Sequence, residues 1–257
     1  MFLKLDDATL SVSAFGSGGN TLVAHGGWVG SGELWHAPFE QLSRNWRCVT
    51  YDHRGTGATI NEAPEITLEI LIADLFKVLD ALSIDQCVLA AESSGVSVAL
   101  EAALRRPGRF SGLVLVDGRY ASGRSAGADR LIAGCIANFP ATMEAFVNAC
   151  VPEENCEAER RWAKQIVNRS NSTSAVQLMQ CMDKVAVEDR LREIEIPTLI
   201  IHGSKDVITP LSASQKLADE LPDNSLVVLE GAGHVPTITR PGGVVEAIEA
   251  FFRSRRG

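Results

Sequence analysis

The chain has 257 residues, a formal net charge of −8, and 46% hydrophobic against 22% charged residues. That length suffices for one large α/β domain with a full core, with or without an insertion, and the composition is that of an ordinary soluble globular protein. The acidic balance argues against nucleic acid and against an anionic membrane as partners.

Met1 to Leu5 is apolar but interrupted by Lys4 and followed by Asp6 and Asp7, too short for a signal sequence. No apolar run approaches membrane-spanning length. The six cysteines, at positions 48, 87, 135, 150, 156 and 181, form no CxxC pair and no metal-ligand spacing. They read as buried small hydrophobes or free thiols, and the expected compartment is the cytoplasm. No cofactor and no metal is expected, because the histidine and cysteine spacings fit no site. Without secretion, the glycosylation-like triplets at Asn168 and Asn171 carry no meaning.

In chain order, Phe2–Leu5 and Thr9–Phe15 alternate around Asp6-Asp7 as a hairpin. Thr21–Ala24 is a short apolar strand running into His25-Gly26-Gly27-Trp28. Glu33–Ser43 reads as helix, and Arg47–Tyr51 as a buried strand closed by Asp52-His53-Arg54-Gly55-Thr56-Gly57. Leu68, Leu71, Ile72, Leu75, Val78, Leu79 and Leu82 recur at helical spacing, with Thr67 as N-cap. Cys87–Ala90 is a strand that leads through Ala91-Glu92-Ser93-Ser94-Gly95 into a helix over 94–106, stopped by Pro107-Gly108. Leu113–Val116, Pro197–Ile201 and Leu226–Leu229 are further apolar strands, while Leu211–Leu221 and Val244–Phe252 are helices, the latter started by Pro241. Continuous apolar runs alternating with amphipathic helices mean a parallel sheet covered on both faces.

One region breaks the alternation. Residues 119–192 hold no convincing strand, only helical fragments at Asp129–Asn138, Ala141–Ala149, Glu157–Asn168 and Ala175–Met182. The expected organisation is therefore a core of 1–118 and 193–257 with a helical cap or lid of 119–192.

Strand, sharp turn with serine at its apex, and helix is the context of a nucleophile elbow, with Ala91 in place of the usual first glycine. With that elbow, the His-Gly-Gly-Trp loop, the Asp-His-Arg-Gly-Thr-Gly loop, His202-Gly203-Ser204-Lys205-Asp206 and Gly231-Ala232-Gly233-His234, the chain resembles α/β-hydrolase fold enzymes everywhere except the insertion. The resemblance implies an α/β-hydrolase fold: a mostly parallel eight-stranded sheet flanked by helices, with the helical lid inserted after the sixth strand and the site at the carboxyl ends of the strands. It also implies the order nucleophile, acid, histidine.

Ser93 is the candidate nucleophile, since a serine hydroxyl needs a base within hydrogen-bond reach; as a helix N-cap it would have a purely structural job. His234 is the candidate base, because an imidazole titrates near operating pH. His36 falls in a helix, His53 in a turn, His202 at a strand end, and His25 in the first-strand loop, where the family has a structural histidine. Asp206 is the candidate acid, with Asp117, at the end of the preceding strand, as the alternative. The resemblance gives the oxyanion hole to the N–H groups of Gly27 and Ser94. Ser97 reads as a small helix residue, and Asp52 with Arg54 as a local salt-bridge pair without a catalytic role.

Trp28, Glu92, Phe139, Met143, Phe146 and Met179 are candidate pocket residues. An apolar roof of this kind fits an uncharged, partly hydrophobic substrate. Glu92 is unusual beside a nucleophile. It can act on the triad histidine, contact a polar substrate group, or point away to a lid cation.

The expected function is a cofactor-free serine hydrolase of a small-molecule ester or lactone, with the chain most similar to esterase and lactonase members such as enol-lactone hydrolases. Carbon–carbon bond hydrolysis, a lyase or cofactor-free oxygenase, and a ligand receptor on the same fold stay open. A dehalogenase is disfavoured, because its nucleophile would be aspartate. The expected partner is a small molecule, with a homodimer left open.

Overall fold

Nine strands form one sheet in a computed structural model that describes residues 1–255. β1 (Phe2–Lys4) and β2 (Ala8–Phe15) make the N-terminal hairpin, with Leu3 opposite Leu10. β2 continues antiparallel against β4 (Trp46–Tyr51), which lies parallel to β3 (Asn20–His25). The two-residue β5 (Ile60–Asn61) pairs with β2 to one side of the main path. The remaining strands, β6 (Cys87–Glu92), β7 (Phe110–Val116), β8 (Thr198–Gly203) and β9 (Asn224–Leu229), are all parallel. The order is β1-β2-β4-β3-β6-β7-β8-β9. Eight strands thus make the continuous path. β5 is the ninth and was invisible in the sequence, because two residues carry no periodicity.

The order reverses between β3 and β6, so the loops leaving these neighbours diverge and open a crevice at their carboxyl ends. The register sets His25 opposite Ala91. The His25 loop and the Ser93 turn therefore emerge side by side.

Helices cover both faces for reasons written in their residues. α1 (His36–Leu42) follows a 3₁₀ turn at Gly32–Trp35. α2 (Leu68–Ala81) starts where the Thr67 hydroxyl accepts the Ile70 N–H at 3.3 Å, and buries Leu71, Leu75, Val78 and Leu79. α3 (Gly95–Arg105) is rich in small residues and packs close on the sheet. α7 (Leu211–Glu220), the short α8 (Pro236–Thr239) and α9 (Pro241–Arg253) complete the layers.

Between β7 and β8 lie α4 (Ala126–Cys150), α5 (Glu157–Val167) and α6 (Ser172–Met182). α4 is broken at Asn138 (φ −159°, ψ 87°), two residues before Pro140. The proline ring lacks an N–H and would strike the carbonyl one turn back. Asn138 restarts the helix: its Oδ1 accepts the Ala141 N–H at 3.2 Å, and its carbonyl accepts the Thr142 hydroxyl at 2.8 Å. Met143, Val147, Leu178 and Met182 from this segment join the same buried cluster as Leu71, Leu75, Val98 and Leu100 of α2 and α3.

The Asp52–Arg54 pairing expected from the sequence does not form. Arg54 is fully buried and turns to α2 and the hairpin: Nε to Asp74 Oδ2 at 2.6 Å, Nη2 to Asp7 Oδ1 at 2.7 Å, and Nη1 to Asn61 Oδ1 at 3.1 Å. Asp52 instead accepts the N–H groups of Gly32 and Ala58, at 3.1 and 2.9 Å. Its carboxylate occupies the space beside Gly57 (φ +55°), where a Cβ would collide with it.

Among the described residues no helix is long and apolar enough to cross a membrane. Removing one partner of a buried ion pair leaves the other charge uncompensated, at a cost of about 3–5 kcal/mol. Arg54→Ala is therefore expected to lower the melting temperature by roughly 2–4 °C per kcal/mol lost. Thermal denaturation checks this; an unchanged transition would mean that the pair adds nothing to the fold.

Candidate active site

Ser93 sits one residue past β6 with φ +55°, a left-handed conformation uncommon for a non-glycine residue. Three backbone bonds hold the turn: Ser93 N–H to Val116 O at 2.9 Å, with Val96 N–H and Arg119 N–H both reaching Ser93 O at 3.1 Å. Gly95 is required because a Cβ there would collide with the Gly26 carbonyl oxygen. Ala91 lies inside β6 at ordinary strand geometry, so a methyl is tolerated where the usual pattern has glycine.

The Ser93 hydroxyl lies 2.8 Å from His234 Nε2, and His234 Nδ1 lies 2.7 Å from Asp206 Oδ2. A carboxylate only accepts, so Nδ1 carries the proton and Nε2 is left to receive the serine O–H. Ser93 is thus no helix cap, since its hydroxyl is turned to the imidazole. Asp206, not Asp117, is the carboxylate on the imidazole. Its Oδ1 accepts Ile208 N–H at 2.7 Å and Thr209 N–H at 3.0 Å. Burial opposes its charge, but the His234 charge and hydrogen bond and these two N–H groups outweigh it and hold its pKa below the ordinary value.

Asp117 is buried with φ +46° at the end of β7, and its Oδ1 accepts the Gly203 N–H at 2.9 Å. Burial, then the charge of Asp206, push its pKa well above the ordinary carboxylate value. Asp117, Asp206 and His234 each offer one atom within 4.8 Å of the others. Both His234 nitrogens are already engaged, so this trio has no imidazole lone pair left for a metal.

The His234 loop is held by the end of α4. His234 N–H donates to Cys150 O at 2.8 Å, while buried Glu153 accepts Gly233 N–H at 2.8 Å and the Thr239 hydroxyl at 2.7 Å. Nothing in the sequence pattern marks Glu153 for this position. His202 is buried beside Asp206. Thr209 O accepts from its Nε2 at 3.1 Å, leaving Nδ1 to accept the Ser214 hydroxyl at 2.8 Å.

Gly27 faces Ser93: a Cβ there would stand 3.3 Å from Ser93 Cβ. Its carbonyl is met by His53 Nε2 at 2.9 Å, and His53 stacks on His25 with ring centroids 4.8 Å apart. Burial, then neighbouring His53, push His25 down to about 3, and burial lowers His53. His53 thus fixes the Gly27 peptide, a role its turn-like sequence context hid. Among the described residues, the hydrogen bonds of these loops leave the N–H groups of Gly27 and Ser94 without a protein acceptor.

A cavity of about 930 Å³ opens over Ser93 and Ser94, walled by Trp28, Tyr120, Phe146 and Met179 among others. Trp28 is fixed there by its indole N–H on Ala175 O at 2.8 Å and an edge contact with Phe146. Phe139 and Met143 do not line this cavity. Met143 is wholly buried in the core and Phe139 packs against it, because the break at Asn138 rotates the two halves of α4 and turns these side chains inward. Ser97 does more than fill space, donating its hydroxyl to Arg119 O at 2.7 Å.

Glu92 also lies outside the main cavity and meets no lid cation. It is wholly buried, accepts the Thr237 hydroxyl at 2.8 Å, and borders a chamber of about 40 Å³ behind Ser93 and His234. Burial pushes its pKa up to about 8, against the Thr237 bond and with help from Asp206. The folded carboxyl therefore keeps its proton up to about 8, against 4.5 ordinarily, so stability falls as pH rises through that window. Glu92→Gln, which cannot titrate, is expected to melt progressively higher relative to the parent between pH 5 and pH 9. A constant difference across that range would mean that Glu92 is ionised throughout.

A family model described as the alpha/beta hydrolase fold matches residues 20–241. A protein of Rhizobium rhizogenes named as the carbamate hydrolase RutD is 26% identical over 247 residues, covering 91% of this chain and 93% of that one. Among solved structures, a hydrolase from Pseudomonas aeruginosa superposes with TM-score 0.90 at 26% identity, covering 98% and 97% of the two chains. The enol-lactonase from Burkholderia xenovorans gives TM-score 0.88 at 18% identity over 98% and 100%, a likeness of fold. The chain belongs to the alpha/beta hydrolase fold family.

Proposed function

We propose that this protein is a cofactor-free serine hydrolase that cleaves a small-molecule ester or lactone through an acyl-enzyme on Ser93. The observation that carries this is the unbroken Ser93–His234–Asp206 relay at 2.8 and 2.7 Å, opening onto the cavity. Ser93 Oγ attacks the substrate carbonyl as its proton passes to His234 Nε2, and the imidazolium formed is stabilised by Asp206. The N–H groups of Gly27 and Ser94 receive the oxyanion, where one donor is worth roughly a hundredfold or more in rate. His234 then returns the proton to the leaving oxygen. In the second half it takes a proton from water, which attacks the acyl-enzyme and releases the acid and free Ser93.

Residues 119–192 act as the cap over this site, supplying Phe146 and Met179 to its walls. The six cysteines, all free and buried, suit a reducing compartment, and we place the activity in the cytoplasm. The relatives named as carbamate hydrolases favour a second reading of the scissile bond, in which the acyl carbon is that of a carbamate. It uses the same relay and passes through a carbamoylated Ser93.

The test is hydrolysis of a panel of short p-nitrophenyl esters, small lactones and carbamates. Ser93→Ala is expected to lower kcat by roughly a million-fold and Asp206→Asn by roughly ten-thousand-fold, through loss of the required tautomer. Asp117→Asn, which keeps an oxygen for the Gly203 N–H, should cost less than about tenfold, within the usual effect of a lost buried hydrogen bond. Equal losses in the two aspartate variants would reassign the acid. A parent inert on the whole panel would overturn the acyl-transfer reading in favour of carbon–carbon cleavage, lyase or receptor roles.

A further inference from the structure

The walls of the main cavity are not uniformly apolar. Arg119, Arg130 and Lys216 border it, with Glu188 as the one acid on the same wall. In a chain of net charge −8, a cavity with an excess of cations is a local inversion. Glu188 is already engaged: its carboxylate accepts the Ser122 N–H and hydroxyl at 2.9 and 2.7 Å and lies 3.9 Å from Lys216 Nζ. The other carboxylates of this region, Asp129 and Asp183, are paired with Arg124.

Arg119 is placed differently from the other two cations. Arg130 and Lys216 are exposed at the rim, whereas Arg119 is half-buried two residues beyond Asp117. Its backbone is tied to the nucleophile turn, N–H to Ser93 O at 3.1 Å and carbonyl to the Ser97 hydroxyl at 2.7 Å. Its Nη2 donates to Gly123 O at 2.7 Å, while its Nη1 is buried with no hydrogen-bond partner. Among the described residues no carboxylate pairs with it. A guanidinium on the cavity wall with no carboxylate partner and one nitrogen unsatisfied matches an oxyacid, which accepts charge-assisted N–H bonds.

We propose that Arg119 is a specificity-determining residue that binds a carboxylate on the substrate, so that the preferred substrates are esters or lactones bearing a second, ionised carboxyl group. This rests on the Ser93 hydrolase reading and narrows it, replacing the uncharged substrate suggested by the apolar fragments alone. Those fragments were legible as Phe and Met. Arg119 lay just past a strand end and carried no pattern.

The experiment compares matched esters in the parent, Arg119→Met and Arg119→Lys. On the acyl side the pair is p-nitrophenyl hemiglutarate and its neutral methyl ester; on the leaving side it is 4-acetoxybenzoate and its methyl ester. The parent should prefer the anionic member of at least one pair. The ratio of kcat/KM, anionic to neutral, should fall by about ten- to hundredfold in Arg119→Met, mainly through KM, with Arg119→Lys between the two. Glutarate binding to the Ser93→Ala protein, followed by calorimetry, should weaken by a similar factor when Arg119→Met is added, and folding of each variant is checked by circular dichroism. Ratios unmoved in both pairs, together with glutarate binding indifferent to Arg119, would overturn the proposal while leaving the hydrolase reading intact. If no ester turns over yet glutarate binding depends on Arg119, the anion site stands and the hydrolase reading falls.

Discussion

The site depends on a close approach of two backbones: Gly95, opening α3, against the carbonyl of Gly26, just beyond β3. Any side chain at 95 would push these elements apart, and with them the Ser93 turn and the Gly27 loop. β3 and β6 are adjacent parallel strands with His25 opposite Ala91, so their carboxyl ends already lie level. The glycine contact closes the remaining gap, and the strained φ of Ser93 lifts its hydroxyl out of the sheet. Serine at 93 tolerates that conformation because Val116, Val96 and Arg119 all bond its backbone.

Three buried carboxyl groups lie near one another around the imidazole, and their surroundings set their pKa values apart. Asp206 receives two backbone N–H bonds as well as His234, enough to offset its burial. Asp117 receives one N–H and faces the charge of Asp206, and Glu92 receives only a hydroxyl. Three negative charges packed here would repel one another in a low dielectric, and the pKa values of Asp117 and Glu92 are raised accordingly. The proton on His234 Nδ1 is fixed by its hydrogen bond to Asp206.

Much of this was legible in the sequence, and what was not has a common physical cause. The strands read as apolar runs, α2 as a periodic stripe capped by Thr67, and the break in α4 as two helical fragments around Pro140. The elbow, the Asp206 loop and the His234 loop each carry glycines or prolines that fix local backbone shape, and local shape is what a motif encodes. The residues that escaped act across long sequence separations. Glu153 serves the His234 loop from 80 positions away, and Trp28, itself expected at the pocket, is anchored on Ala175 across 147. Arg54 was read as pairing with its neighbour Asp52, but it finds Asp74 and Asp7 instead. Met143 and Phe139 had the composition of pocket residues, while the kink at Asn138 gave them the orientation of core residues.

The helical segment between β7 and β8 is tied to the site at more than its roof. The last residue of α4, Cys150, accepts the His234 N–H, and Glu153 just beyond it fixes Gly233 and Thr239, so His234 is held in part by the element that walls the cavity. Phe146, one turn earlier, touches Trp28, which in turn donates to α6 at Ala175. A change in the packing of α4 therefore reaches the imidazole through two hydrogen-bonded residues as well as reshaping the cavity. The break at Asn138 confines this coupling. The half of α4 after Pro140 carries Phe146, Cys150 and the contacts to the His234 loop, whereas the half before it borders the outer cavity through Ala128 and Leu131. Such a division keeps the contacts to the His234 loop on one side of the break. It gives a physical reason for a proline to be accommodated in the middle of a 25-residue helix.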